Sequence, residues 1–108
     1  MKVRLHPEAR AELREARRWY YERSPLSATA FAHAIDNAVS RIAQSPALYP
    51  LAQYGTRKLV LPRFPFNIFY RILEAEIVIV AVAHQKRRPG YWSSRVESSK
   101  SSPDPHRA

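Results

Sequence analysis

Cysteine is absent from the 108-residue chain, which excludes disulfide frameworks, cysteine zinc sites and thiol nucleophiles. Long apolar runs are absent too. The longest, Ile77 to Ala83, has seven residues, where a membrane-spanning helix takes about 20. The opening MKVRLHPEARAEL carries charges where a secretory signal needs its apolar stretch. A cytoplasmic protein with no membrane partner is expected. Acidic residues are few: nine Asp and Glu face eighteen Lys and Arg, a formal charge of +9. The length suits one domain, and the 45% hydrophobic content argues against a wholly disordered chain.

The charge is unevenly spread. Residues 1–56 hold eight basic and five acidic side chains, giving +3, whereas 57–96 hold eight basic ones against Glu74 and Glu76, giving +6. A basic patch of this kind meets an anionic partner, nucleic acid or an acidic protein segment, or simply keeps the protein soluble.

Periodicity divides the chain into an α part and a β part. Val3 and Leu5 alternate with charges, the pattern of a short half-buried strand. Pro7 occupies a first helical position, and Ala9, Leu13, Ala16 and Tyr20 then line one face of a helix running to about Arg23. Ser24-Pro25 starts a second helix, with Ala28, Phe31, Ile35, Ala38 and Ile42 inward, ending near Gln44 before Pro46. The short link makes the two an antiparallel hairpin. After a loop at 47–55 the period changes to 2, and strands are expected at Thr56–Leu61, Phe66–Leu73 and Ile77–His84. They form the simplest arrangement, a three-stranded antiparallel meander. Neither turn contains Asn-Gly or Asp-Gly, so the register stays open by one residue. Strict alternation would put Ile77, Ile79, Ala81 and Ala83 on one face and Val78, Val80, Val82 and His84 on the other. The fold class is thus α+β in one domain over 1–96, with 97–108 expected as a disordered polar tail.

The order of elements, together with RKLVLPRFPFNIFYRI (57–72) and IVIVAVAHQKRRPGYW (77–92), resembles the RelE/ParE superfamily of toxins from bacterial type II toxin-antitoxin systems. The resemblance spans about residues 2–95. It rests on Arg57, the Phe-Pro-Phe turn, Tyr70-Arg71, and His84 and Arg88 followed by an aromatic pair. It implies a growth-inhibiting toxin neutralised by a cognate antitoxin that wraps over it, possible toxin-antitoxin hetero-oligomers, and no cofactor or metal. A +9 surface suits an acidic antitoxin. RelE-like members cut mRNA on the ribosome; ParE-like members poison DNA gyrase. Lys58 matches a nuclease lysine, but Val60 stands where a second would be and Asn67 where an arginine would. Lys86 or Arg87 and Tyr91 match later positions of that set. His84 with Arg88 is more similar to the ParE branch, which the resemblance therefore favours.

If the protein is RelE-like, Lys58, Arg71, His84, Lys86 and Tyr91 are the catalytic candidates, because metal-free RNA cleavage needs fixed cations at the phosphorane and a group that titrates near neutrality. Otherwise His84 is a structural strand-end residue. Arg57, Arg63, Arg71, Arg87, Arg88, Trp92 and Trp19 are the candidates for target or antitoxin contact. For Arg57 and Arg71 the plainer alternative is a cross-strand pair with Glu74 or Glu76; for Trp92, closure of the core; for Trp19, packing on the loop 47–54. The run Lys86-Arg87-Arg88 beside Tyr91 and Trp92 also suits a non-toxic nucleic-acid-binding domain. His33 and Asp36 are three residues apart on one helix, too few ligands for a metal site.

Overall fold

The computed structural model describes residues 1–98. Strand β1 (Lys2–Leu5) leads into α1 (Pro7–Arg23) and α2 (Pro25–Gln44), followed by a 3-10 turn at Gln53–Gly55, β2 (Arg57–Val60), β3 (Phe66–Ile72), β4 (Glu76–His84) and a short α3 (Ser94–Ser98). Two residues of the expected tail, Glu97 and Ser98, therefore close a helix. The remainder, 99–108, lies outside the described residues. No helix among the described residues is long and apolar enough to cross a membrane.

Local chemistry sets the helix ends. His6 caps α1: its Nδ1 accepts from the Glu8 amide at 3.1 Å while Pro7 fills the first helical position, where no N–H is needed. A single residue joins the helices. Ser24 donates its amide to the Tyr20 carbonyl at 2.8 Å, ending α1, and its Oγ accepts from the Ser27 amide at 3.4 Å, starting α2.

The four strands form one sheet in the order β1-β4-β3-β2. The meander β2-β3-β4 is antiparallel as expected, and β1 joins it parallel to β4, pairing Lys2 to Glu76 through Leu5 to Ile79. Arg4 fastens this edge with two hydrogen bonds to Glu76 Oε2, at 3.1 and 2.8 Å. The hairpin covers one sheet face. Phe31, Ile35, Ala38 and Ile42 of α2, with Ala9 and Ala16 of α1, pack against Ile68, Tyr70, Ile77, Ile79 and Val82. A second, smaller cluster lies on the opposite face, where Trp92 covers Val80, Ala81 and Ala83 beside Phe69.

β4 departs from the alternation expected of it. The faces of β4 do not alternate strictly, because the pairing runs Phe69 to Ala81 and then Tyr70 to Ile79, leaving Val80 without a partner in β3. The extra residue is a β-bulge, and it reverses the inside-outside pattern beyond it. Ile77, Ile79 and Val82 face the helices, while the consecutive Val80 and Ala81, with Ala83, face Trp92. His84, opposite Phe66 in the ladder, consequently points to the helix side, its ring edge-on to Phe66 at 5.2 Å.

Burial lowers the pKa of His6 below the ordinary histidine value; Arg95 and Arg4 act in the same direction, and Glu8 and Glu12 oppose them. The unfolded chain therefore binds a proton that the folded one refuses. Stability is expected to be full above about pH 6.5 and to fall as the pH drops through the interval between the unfolded and the folded pKa. A thermal-melting series across that interval checks this, and His6→Asn, which keeps a capping oxygen, should flatten the curve. An unchanged slope in the variant would assign the pH dependence to other groups.

Candidate functional site

The bulge and the end of α1 build the site. Beyond Leu5 the outer edge of β4 has no strand neighbour, and side chains satisfy it instead. Glu12 Oε1 accepts from the Val82 amide at 3.0 Å, and Arg95 Nη1 donates to the Val80 carbonyl at 3.2 Å. The two side chains also form a bidentate ion pair with both contacts at 2.9 Å, and their side chains are only 13% and 15% exposed. Tyr91 completes the group by donating its hydroxyl to Glu12 Oε2 at 2.6 Å. Burial, followed by this bond to Glu12, raises the phenol pKa far above its ordinary value. Burial would lower that of Arg95, but Glu12 outweighs it and keeps the guanidinium cationic.

Tyr91 and Arg87, whose guanidinium lies 3.8 Å from the Tyr91 ring centroid, form a ridge between two clefts. On the helix side an apolar groove of about 320 Å³ is lined by Ala16, Trp19, Tyr20, Phe66 and Val82, with Glu12, Glu15 and His84. On the other side a cleft of about 360 Å³ lies over the end of the sheet, lined by Lys58, Asn67, Phe69, Gln85, Arg87 and Arg88 among others. Lys58, His84, Arg87, Arg88, Tyr91 and Trp92 thus share one cleft although β2 and the 85–92 segment are distant in sequence.

Several candidates are held in structural contacts. Arg57 donates to the carbonyls of Ala47 and Tyr49, at 3.2 and 2.6 Å, and so pins the loop before β2. Arg71 donates to the Val96 carbonyl at 3.1 Å, tying α3 to the sheet, and its Nε is buried without a partner among the described residues. Neither arginine pairs with Glu76, which belongs to Arg4. His84 Nδ1 accepts from the Lys86 amide at 3.1 Å and caps the turn that carries the basic run. Trp92 is 1% exposed and closes the second cluster, so its ring is no contact surface. Arg63 sits in the exposed Pro62–Pro65 turn with φ 67, a left-handed conformation that favours glycine. Lys86, Arg87 and Arg88 are exposed.

Trp19 is half exposed, with its ring edge-on to Tyr20 at 5.0 Å and the Arg23 guanidinium 3.5 Å from its ring centroid. It lines the apolar groove. Sequence reasoning overlooked Glu12 and Arg95. The available signal was a carboxylate beside the apolar stripe of α1, three residues after Ala9 and four before Ala16.

No curated protein matches the chain. Among solved structures, a chain of the chromosomal ParDE TA system from P. aeruginosa is similar in fold, with a TM-score of 0.59 and 21% identity over 78% of this chain and 95% of that one. The family model for the ParE toxin of type II toxin-antitoxin systems, parDE, matches residues 3–89. The sheet order, the hairpin over one face and that match over most of the sequence lead to one assignment: the chain belongs to the ParE toxin family of type II toxin-antitoxin systems.

Proposed function

We propose that this toxin acts in the cytoplasm by binding and poisoning DNA gyrase, without catalysis of its own, until a cognate acidic antitoxin neutralises it. The observation that carries the reading is the 2.6 Å bond from the Tyr91 hydroxyl to Glu12. A nuclease needs its proton-transfer groups within reach of substrate. Here the phenol is bound to a buried carboxylate, Arg71 is committed to the Val96 carbonyl and His84 uses Nδ1 to cap a turn. Groups spent on holding the fold leave a binding surface rather than a reaction centre. The +9 charge supports an acidic antitoxin.

Purified protein added to gyrase, plasmid DNA and ATP is expected to stop supercoiling and accumulate cleaved DNA, while ribosome-bound mRNA stays intact. In induced cells DNA synthesis should fall before protein synthesis. Cleavage of mRNA on ribosomes with gyrase unaffected would reverse the proposal and return Lys58, Arg71, His84, Lys86 and Tyr91 to a nuclease role.

A further inference from the structure

Arg63 stands where glycine would cost least. Pro62 and Arg63 are the central residues of the turn between β2 and β3, and Arg63 holds φ 67, the position at which such turns usually place glycine. A large side chain kept in a disfavoured conformation points to a use for that side chain. Arg63 lines a recess of about 170 Å³ between this turn and α2, together with Asn37 and Arg41, which lie one helical turn apart on the same face of α2. Ala34 and Ala38 contribute only methyl groups to its wall, which leaves the space open, and Val60, which also lines it, is 56% exposed. No Asp or Glu lines the recess. The ion pairs among the described residues are Arg4–Glu76 and Arg95–Glu12, so both recess arginines are left for a partner.

We propose that this recess docks an acidic segment of the protein that the toxin inhibits, with one apolar side chain entering the recess and a neighbouring carboxylate taken by Arg41 and Arg63. Guanidinium groups hold carboxylates through paired hydrogen bonds, and Asn37 adds an amide donor. A volume of about 170 Å³ lies below the ~300 Å³ at which small-molecule sites begin and suits one anchoring side chain. Phosphate would use the cations but not the apolar lining. The antitoxin is the weaker fit, because a neutralising complex is long-lived and permanent interfaces are the more apolar ones, as the groove beside Trp19 is. Charged contacts suit a target met by encounter. The proposal rests on the reading of the toxin as a binding poison and adds the residues that make the contact; it does not require the target to be gyrase.

Full-length variants are to be compared for growth arrest on induction in bacteria and, once purified, for inhibition of gyrase supercoiling. Arg41→Gln/Arg63→Gly should need about tenfold more protein in both assays, through the loss of two charged hydrogen-bonding groups. Arg14→Gln/Arg17→Gln removes the same charge from the exposed outer face of α1 and should act as the unaltered protein does. Arg63→Gly alone should lose potency while melting at no lower temperature, because the backbone strain is released, and Arg63→Lys should keep most of the potency. A merely structural arginine would not separate potency from melting in this way. Full potency of Arg63→Gly, or equal losses in the two double variants, would overturn the proposal. So would a matching loss of duplex-DNA affinity in fluorescence anisotropy, which would assign the arginines to nucleic acid. If the unaltered protein arrests growth but leaves supercoiling untouched, the gyrase reading fails and the growth-arrest comparison decides the proposal. An unaltered protein that arrests nothing overturns both.

Discussion

Glu12→Ala is expected to destabilise the protein by about 3 to 5 kcal/mol, the range for breaking one side of a buried ion pair. The carboxylate takes two bonds from Arg95, one from the Tyr91 hydroxyl and one from the Val82 amide. Its removal takes two charged bonds from a largely buried guanidinium and leaves a strand amide without its acceptor. Urea denaturation followed by tryptophan fluorescence would measure the loss, and Tm should drop by about 4 to 8 °C per kcal/mol. Glu12→Gln keeps an acceptor for Val82 and should fall in between. Adding Arg95→Met to Glu12→Ala should recover part of the loss, because the largely buried charge that lost its carboxylate is then gone. A Glu12→Ala protein within about 1 kcal/mol of the original would mean that water reaches the site and that the network contributes little.

Trp92→Ala should be comparably severe, about 3 to 5 kcal/mol, through the cavity left by a ring that is 1% exposed. The ring stacks on Phe69 with centroids 4.5 Å apart and meets Tyr54 edge-on at 5.8 Å. It is also the buried anchor of the 91–98 segment, which continues into Arg95 and Val96. Loss of the ring should therefore loosen α3 and raise hydrogen exchange at the Val82 amide, whose acceptor Glu12 is held in place by Arg95 of that segment. Trp92→Phe refills most of the space and should lose much less. If hydrogen exchange in β4 stayed unchanged in Trp92→Ala, the ring would be a local filler rather than an anchor.

Where local chemistry decides an element, the chain is readable. The stripe Ala28, Phe31, Ile35, Ala38 and Ile42 is fully buried, as its spacing requires, and the β-rich segments after Gly55 became the antiparallel meander. The bulge at Val80 was not readable, because Ile77 to Ala83 is apolar at every position and any register buries something suitable. A misplaced face then carried His84 to the wrong side. Arg57 and Arg71 looked like ligands for an anion, and they bind backbone carbonyls, Arg57 in the loop before β2 and Arg71 in α3, whose placement no periodicity encodes. The Glu12–Arg95 pair joins residues 83 apart in sequence, and only its Glu12 half carried a local signal, a carboxylate beside the apolar stripe of α1. By contrast, the convergence of Lys58 with the 85–92 run follows from β2 and the end of β4 flanking β3.

The parallel pairing of β1 with β4 also bears on the order in which the molecule is made. Lys2 finds its partner in Glu76, 74 residues later. The hairpin of α1 and α2 relies on neighbours and can form early, but the first strand to leave the ribosome waits for the last one described. Until β4 arrives, Val3 and Leu5 have no ladder and Glu12 has neither Val82 nor Arg95 to bind. A chain stalled before residue 76 lacks the central strand on which both clefts depend. The surface that carries both clefts is thus completed only after β4 has left the ribosome.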